Sequence, residues 1–461
     1  MLLPSTGCRP HGRPHSGRDV CECRQIADGL FSAEQISRGP EPRHGQFQRV
    51  FRRLLLLALY ATGWKALWAE DFQGSAHKLD FDGPPIGYST RDATDPVARL
   101  DETLGDAGAG TQPYDPRFGY LPRVLELLRV PVSSQMLVFS KTSVQRRSID
   151  PSNPRALYFS DDVYVGFIPG ASEIEIAAVD ADLGTVFYTV HQDREEPLRF
   201  KRSNECLSCH GAARSMGVPG FVLRSLDTDD EGEVVPATDT SAVTHCTPVA
   251  ERWGGWYVTN APADWVHRAN HPGQDEQSEA QKRRLLGKIG ASKRYPFSGS
   301  DTLALLVHDH QTHMHNYITR LQMEGKQRIV EYGHVRYLDT QVRAFLRYLL
   351  FTEEASLPSP MKPAPGFVDA FQKDAKRDSK GRSLRDFDLQ TRLFKYPCSF
   401  LLDSEAFRKL PEMVRQKILD RLHTVLLGED PHADFAGIPA AGRRAVLEIL
   451  RETCPDLTQG W

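Results

Sequence analysis

The sequence has no excess of basic charge. Its 57 Lys and Arg face 60 Asp and Glu, a formal net charge of −3 over 461 residues. That argues against nucleic acid as the main partner, because no domain-wide positive surface exists to neutralise phosphates. Long apolar runs are also scarce. The one prominent run, Leu54–Trp64, is short of the ~20 residues that a membrane span needs. There is no internal repeat and no low-complexity tract. Cysteines are few and mostly scattered: Cys8, Cys21, Cys23, Cys206, Cys209, Cys246, Cys398 and Cys454. Such spacing is no disulfide framework. Cys246 pairs with Cys398 or Cys454, or all three are buried thiols; spacing does not choose.

The remaining composition is that of a globular protein, with 40% hydrophobic and 25% charged residues. The length allows two or three domains. Thirty-five glycines and 31 prolines predict many turns. The first 48 residues, rich in Arg, Gly, Pro, Ser and His, predict a disordered or mis-started extension. Arg49, Arg52 and Arg53 then precede the Leu54–Trp64 run, and Ala66-Leu67-Trp68-Ala69 offers a cleavage site. This order predicts a signal peptide over 49–69 and export to the periplasm, with a soluble mature chain. The alternatives are an uncleaved membrane anchor and a buried core helix.

The mature chain reads as an α+β protein. A turn-rich lead-in occupies 70–115, with a helical turn near Val97–Leu104. A strand-rich domain with helical inserts follows over 116–270. Tyr120–Arg129 has helical spacing, stopped by Pro131. Strand character recurs at Gln135–Ser140, Leu157–Phe159, Val163–Ile168, Glu173–Val179, Thr185–Val190, Phe221–Leu226 and Gly255–Val258. The turn Asp180–Gly184 predicts a hairpin between the fourth and fifth of these. A polar linker is expected over 271–299. A mainly helical C-terminal domain is expected over 300–461, with helices from Asp301 to about Glu324, at Val330–Phe351, Ala406–Leu426 and Gly442–Glu452.

The sharpest chemical signal is Cys206-Leu207-Ser208-Cys209-His210. In covalent haem attachment two thiols add to the porphyrin vinyl groups, and a histidine directly after the second cysteine lies beneath the iron. The single run predicts one haem c, held by Cys206, Cys209 and His210. Three other readings compete. A thioredoxin-like pair does not require the histidine. A zinc site wants a second ligand pair at suitable spacing. A local disulfide is the third.

A sixth ligand is sought in Asp301–Leu321, where four histidines fall within eight residues. Leu303, Leu306, Val307, Met314, Tyr317, Ile318 and Leu321 form one apolar stripe, and His310 falls within it. His310 is therefore the expected distal metal ligand, with Met314 one turn on. The competing reading is a hydrogen-bonded core histidine. His245 and Met216 are further candidates, and an open five-coordinate iron is another. The aromatic run from Arg252 to Tyr257 reads as a haem-pocket wall, with Arg252 or Arg214 beside a propionate, or as core packing.

Met136–Ser143, Ala156–Gly166, the Cys-x-x-Cys-His run and Arg252–Val258 together resemble a family of bacterial cytochrome c domain proteins. The family is frequent in planctomycete-type genomes and has no assigned physiological role. The resemblance covers roughly residues 80–450. It implies covalent haem and electron transfer to an unidentified redox partner, carried onto Cys206, Cys209 and His210 only. Two alternatives follow from the residues. One is a peroxidase-like haem oxidoreductase with an open distal site, where Asp161 and Asp162 line a pocket. The other is a haem-based redox or gas sensor.

Overall fold

Short runs of alternating β-branched and aromatic residues dominate the middle of the chain, and they pair into one sheet. The computed structural model describes residues 78–109, 112–238, 240–273, 286–289 and 293–461. The expected extension, the signal tract and much of the expected linker lie outside them. Two helices lead in, α1 (Pro96–Ala109) and α2 (Leu121–Leu127). The strands are β1 (Met136–Val138), β2 (Arg155–Phe159), β3 (Val163–Phe167), β4 (Glu173–Asp180), β5 (Gly184–His191) and β6 (Lys201–Arg202). A one-turn helix α3 (Leu207–His210) follows. Next come a small ribbon of β7 (Arg224–Ser225) with β8 (Thr240–Ser241), and then β9 (Trp256–Tyr257). The main sheet runs β6-β5-β4-β3-β2-β1-β9, with every neighbour antiparallel. The Asp180–Gly184 turn closes the β4–β5 hairpin as its sequence predicts. The expected Phe221–Leu226 strand shrinks to β7.

Side chains alternate across a strand, so register assigns them to faces. One face carries Ala156, Tyr158, Val163, Val165, Ile174, Ile176 and Val186, all buried. The opposite face is less filled. Its row nearest the β2–β3 and β4–β5 turns is Phe159, Tyr164, Ala177 and Phe187. The next row out is Leu157, Gly166, Glu175 and Thr189. Ala177, Leu157, Glu175 and Thr189 are only half-buried.

The C-terminal half supplies α4 (Thr302–Tyr332), α5 (Asp339–Leu349), α6 (Phe367–Gln372), α7 (Glu405–Arg408), α8 (Glu412–Leu427) and α9 (Ala440–Thr453). Helix α4 starts where the sequence places it: the Asp301 carboxylate accepts from the Ala304 N–H at 2.8 Å. It runs past Glu324, however, and ends at Gly333, which takes the left-handed conformation (φ 72°) that glycine adopts without a Cβ clash. The helix crosses the turn end of the sheet. Gln311 donates to the Asp161 carbonyl at 2.9 Å, and Gln322 to the Ala181 carbonyl at 2.8 Å. Helices α5 and α8 pack on its other flank. Its first 24 residues, Thr302–Gly325, are consequently buried all round. One hydrophobic core joins the sheet to these helices, and the described residues belong to one compact unit. Segments 116–270 and 300–461 thus share a core. Among the described residues, no helix is long and apolar enough to cross a membrane.

Burial fixes the charge of α4. It holds His308 and His310 at about 3, and His313 and His315 at about 4, far below the ordinary histidine value. The unfolded chain therefore binds protons that the folded chain refuses, and stability is lost as pH falls below the unfolded value of about 6.5. At pH 5 each of these four histidines costs about 2 kcal/mol, about 8 kcal/mol together, against a typical domain stability of about 5–15 kcal/mol. Burial raises Asp309 to about 6, and that carboxyl returns about 1–2 kcal/mol over the same interval. The net expectation is cooperative unfolding near pH 5, read by circular dichroism across a pH series. A fold unchanged down to pH 4 would show that these rings are not buried in neutral form.

Candidate functional site

Cys206 caps α3, and Cys209 and His210 lie on it. Its single turn is closed by the His210 N–H donating to the Cys206 carbonyl at 2.9 Å. Cys206 is half-buried, Cys209 is exposed, and both are free thiols. Burial, and after it the nearby Glu175 carboxylate, raise the Cys206 thiol above the ordinary cysteine value. That is opposite to the depressed value a thioredoxin-like nucleophile uses. Among the described residues, one trio of potential metal-binding side chains converges, His191 with Asp193 and Glu196 on the surface. Cys206, Cys209 and His210 do not form such a group among the described residues.

His210 is held by the chain that returns after it. The loop Ala212–Gly220 turns back so that the Gly220 N–H donates to the His210 carbonyl at 2.9 Å. The Gly220 carbonyl in turn lies 2.9 Å from His210 Nδ1. A carbonyl only accepts, so Nδ1 carries the proton and Nε2 keeps its lone pair. The ring stacks at a tilt on Phe187, with centroids 4.9 Å apart. Burial lowers its basicity, so it is neutral at physiological pH. A neutral imidazole with Nδ1 donating to a carbonyl is the arrangement a metal-binding histidine requires.

Gly220 is held in turn by α4. Asn316 accepts from the Phe221 N–H at 2.7 Å and donates to the Phe221 carbonyl at 2.8 Å. The fit is tight: a Cβ on Gly220 would lie 2.3 Å from Asn316 Oδ1. Glycine is therefore required there to let the helix approach. The sequence offered a signal for this loop in Gly217-Val218-Pro219-Gly220, just after the motif.

Beside the motif lies the half-filled sheet face. Gly166 and Ala177, the smallest residues on it, sit in adjoining rows. Arg155 and Glu175 form an ion pair there at 2.8 Å, with side chains 18% and 25% exposed. Burial alone would raise Glu175, but Arg155 and hydrogen bonds from Ser143 and Gln145 hold it below the ordinary value. The Arg155 Nε is buried without a hydrogen-bond partner. Sequence reasoning did not single out Arg155, Gly166, Glu175 or Ala177.

The structure does not bring His310 to this face. Its Nδ1 lies 2.8 Å from His245 Nδ1, and its Nε2 lies 2.7 Å from Ser399 Oγ. The ring stacks on Tyr348 and Phe351, on the α5 flank of α4. Both nitrogens are thus committed to protein, which is the competing core-histidine reading of the sequence, and His245 is committed with it. Met314 and Met216 are buried too, and the Met216 carbonyl accepts from Arg320 at 2.9 Å. Arg252 is buried against Asp309 at 3.1 Å, and Trp253 Nε1 donates to the same carboxylate oxygen. Those two residues neutralise a core aspartate instead of walling a pocket; Arg214 is exposed. Asp161 pairs with Arg385, while Asp162 lines a separate small cavity beside Arg99 and Glu405. Cys246, Cys398 and Cys454 are free thiols.

The clamp on His210 is testable without any cofactor. Gly220→Ala and Asn316→Ala should each destabilise the chain by about 1–3 kcal/mol, through a clash or through lost bonds to buried backbone groups. Their effects should not add. Removing Asn316 relieves the clash, so the double variant should be at least about 0.5 kcal/mol less destabilised than the sum. Denaturant unfolding of the four proteins measures this, and strict additivity would dissolve the proposed contact. Comparison with protein-family models, curated proteins and solved structures gives no match, so what the site does rests on its own chemistry.

Proposed function

We propose that the chain is an exported electron-transfer cytochrome that carries one covalent haem c at Cys206, Cys209 and His210. The observation that carries this reading is the state of His210. Its Nδ1 is spent on the Gly220 carbonyl, its Nε2 is left for a metal, and two free thiols precede it on the same helical turn. A half-filled sheet face with Gly166 and Ala177 at its centre lies alongside. These residues fit the group.

The chemistry of attachment needs no oxidant. Cys206 and Cys209 would hold the group through thioethers, each S–H adding across a vinyl C=C so that sulfur takes one carbon and hydrogen the other. When bound, haem supplies a one-electron couple at its iron. The chain's own residues do the rest. Gly220 fixes the tautomer and orientation of His210. Asn316 ties that loop to α4. The exposed position of Cys209 leaves one edge of the site open to a redox partner protein. The tract at 49–69 belongs to the same reading, since haem attachment of this type and such a tract both belong outside the cytoplasm.

The test is production of the chain from Glu70 in a periplasm equipped for haem c maturation. Haem should stay with the polypeptide on a denaturing gel, and the pyridine haemochrome should be of c type, with one haem per chain. Cys206→Ala or Cys209→Ala should leave at most one thioether, and the double variant should leave no covalent haem. An apoprotein, above all one loaded with zinc, would overturn the proposal.

A further inference from the structure

We infer that His308 is the second axial nitrogen of the haem site, the ligand opposite His210. This rests on the reading above and deepens it.

The geometry begins with the helix. Successive α-helical residues are about 100° apart, so His308 and His310 project to nearly opposite sides of α4. His310 faces α5 and Ser399. His308 faces the sheet, 5.6 Å from the Phe159 ring, 5.7 Å from Tyr164 and 6.1 Å from Trp256. Phe159 and Tyr164 are the first two members of the cross-strand row that continues through Ala177 to Phe187. His210 rests on Phe187. The two histidines therefore stand over opposite ends of one row, with Ala177 between their perches and Gly166 in the next row out.

Arg155 lies on the same sheet face, paired with Glu175 at 2.8 Å. His308 is also chemically idle. Its Nδ1 is buried with no partner, and the residue as a whole is 6% exposed. Neither of its ring nitrogens has a hydrogen bond to a described residue. Burying an imidazole with no polar partner costs stability, and a metal bond at this ring offsets that cost. Among the other α4 histidines, His315 spends Nε2 on the Asp161 carbonyl at 2.9 Å, and His310 spends both nitrogens.

The test uses the haem-loaded protein and reads spin state instead of activity. The wild type should be low-spin in both oxidation states by visible absorption and, when ferric, by electron paramagnetic resonance. His308→Ala should become high-spin with its pyridine haemochrome content unchanged, and added imidazole should restore the low-spin spectrum. His308→Met guards against a folding defect: it should stay low-spin, with a raised reduction potential, as Met/His ligation does. His310→Ala and His315→Ala should stay low-spin. A low-spin His308→Ala protein without imidazole, or loss of the low-spin state in His315→Ala or His310→Ala, overturns the assignment. A high-spin wild type overturns it while leaving covalent haem standing. A wild type without covalent haem removes both.

Discussion

Everything in this structure has to accommodate a polar helix that is buried on all sides. Helix α4 carries four histidines, an aspartate, an asparagine and several glutamines through the middle of the molecule. Each must be paired or left neutral, because unpaired polar groups in a dry interior are costly. The neighbours are arranged to meet that demand. Arg252 and Trp253 come in from the loop before β9 to face Asp309. The β2–β3 turn offers backbone carbonyls to Gln311 and His315. Ser399 and His245 take up His310. Asn316 reaches the loop behind His210. The positions of the sheet turns, the return loop and the C-terminal helices follow from those contacts.

Much of the fold was legible in the sequence. Strands β2 to β5 announce themselves through β-branched and aromatic residues, and the Asp180–Gly184 turn fixes their pairing. Asp301 marks the start of α4 because its carboxylate caps free N–H groups. The end of α4 was not legible, since the polar stretch after Glu324 resembles a boundary, whereas only Gly333 supplies the backbone conformation that stops it. The stripe that singled out His310, whose ring nitrogens meet His245 and Ser399, has a related limit. An apolar stripe tells which side of a helix is buried only if another side is wet. With the sheet on one flank and α5 and α8 on the other, the stripe says nothing about which flank holds chemistry.

The Cys206–His210 run is visible in the sequence because its five residues are contiguous. Its support is less so. Gly220 lies in a loop with a visible Gly-Val-Pro-Gly signal, but Asn316, Arg155 and Ala177 are ordinary residues far along the chain, and only the register of the sheet and the packing of α4 bring them to this region. Asp309 explains the Arg252–Trp253 pair equally well in hindsight, yet the partner lies on a helix more than fifty residues on.

Four groups at this sheet face are held away from their ordinary titration ranges. His210 and His308 are pushed below the ordinary histidine range, Glu175 below the ordinary carboxylate range, and Cys206 upward. None of these four can take up a proton at physiological pH to compensate for added negative charge. Of these four only Glu175 is then charged, and Arg155 lies against it at 2.8 Å, so in the physiological range they present one closed ion pair among neutral groups.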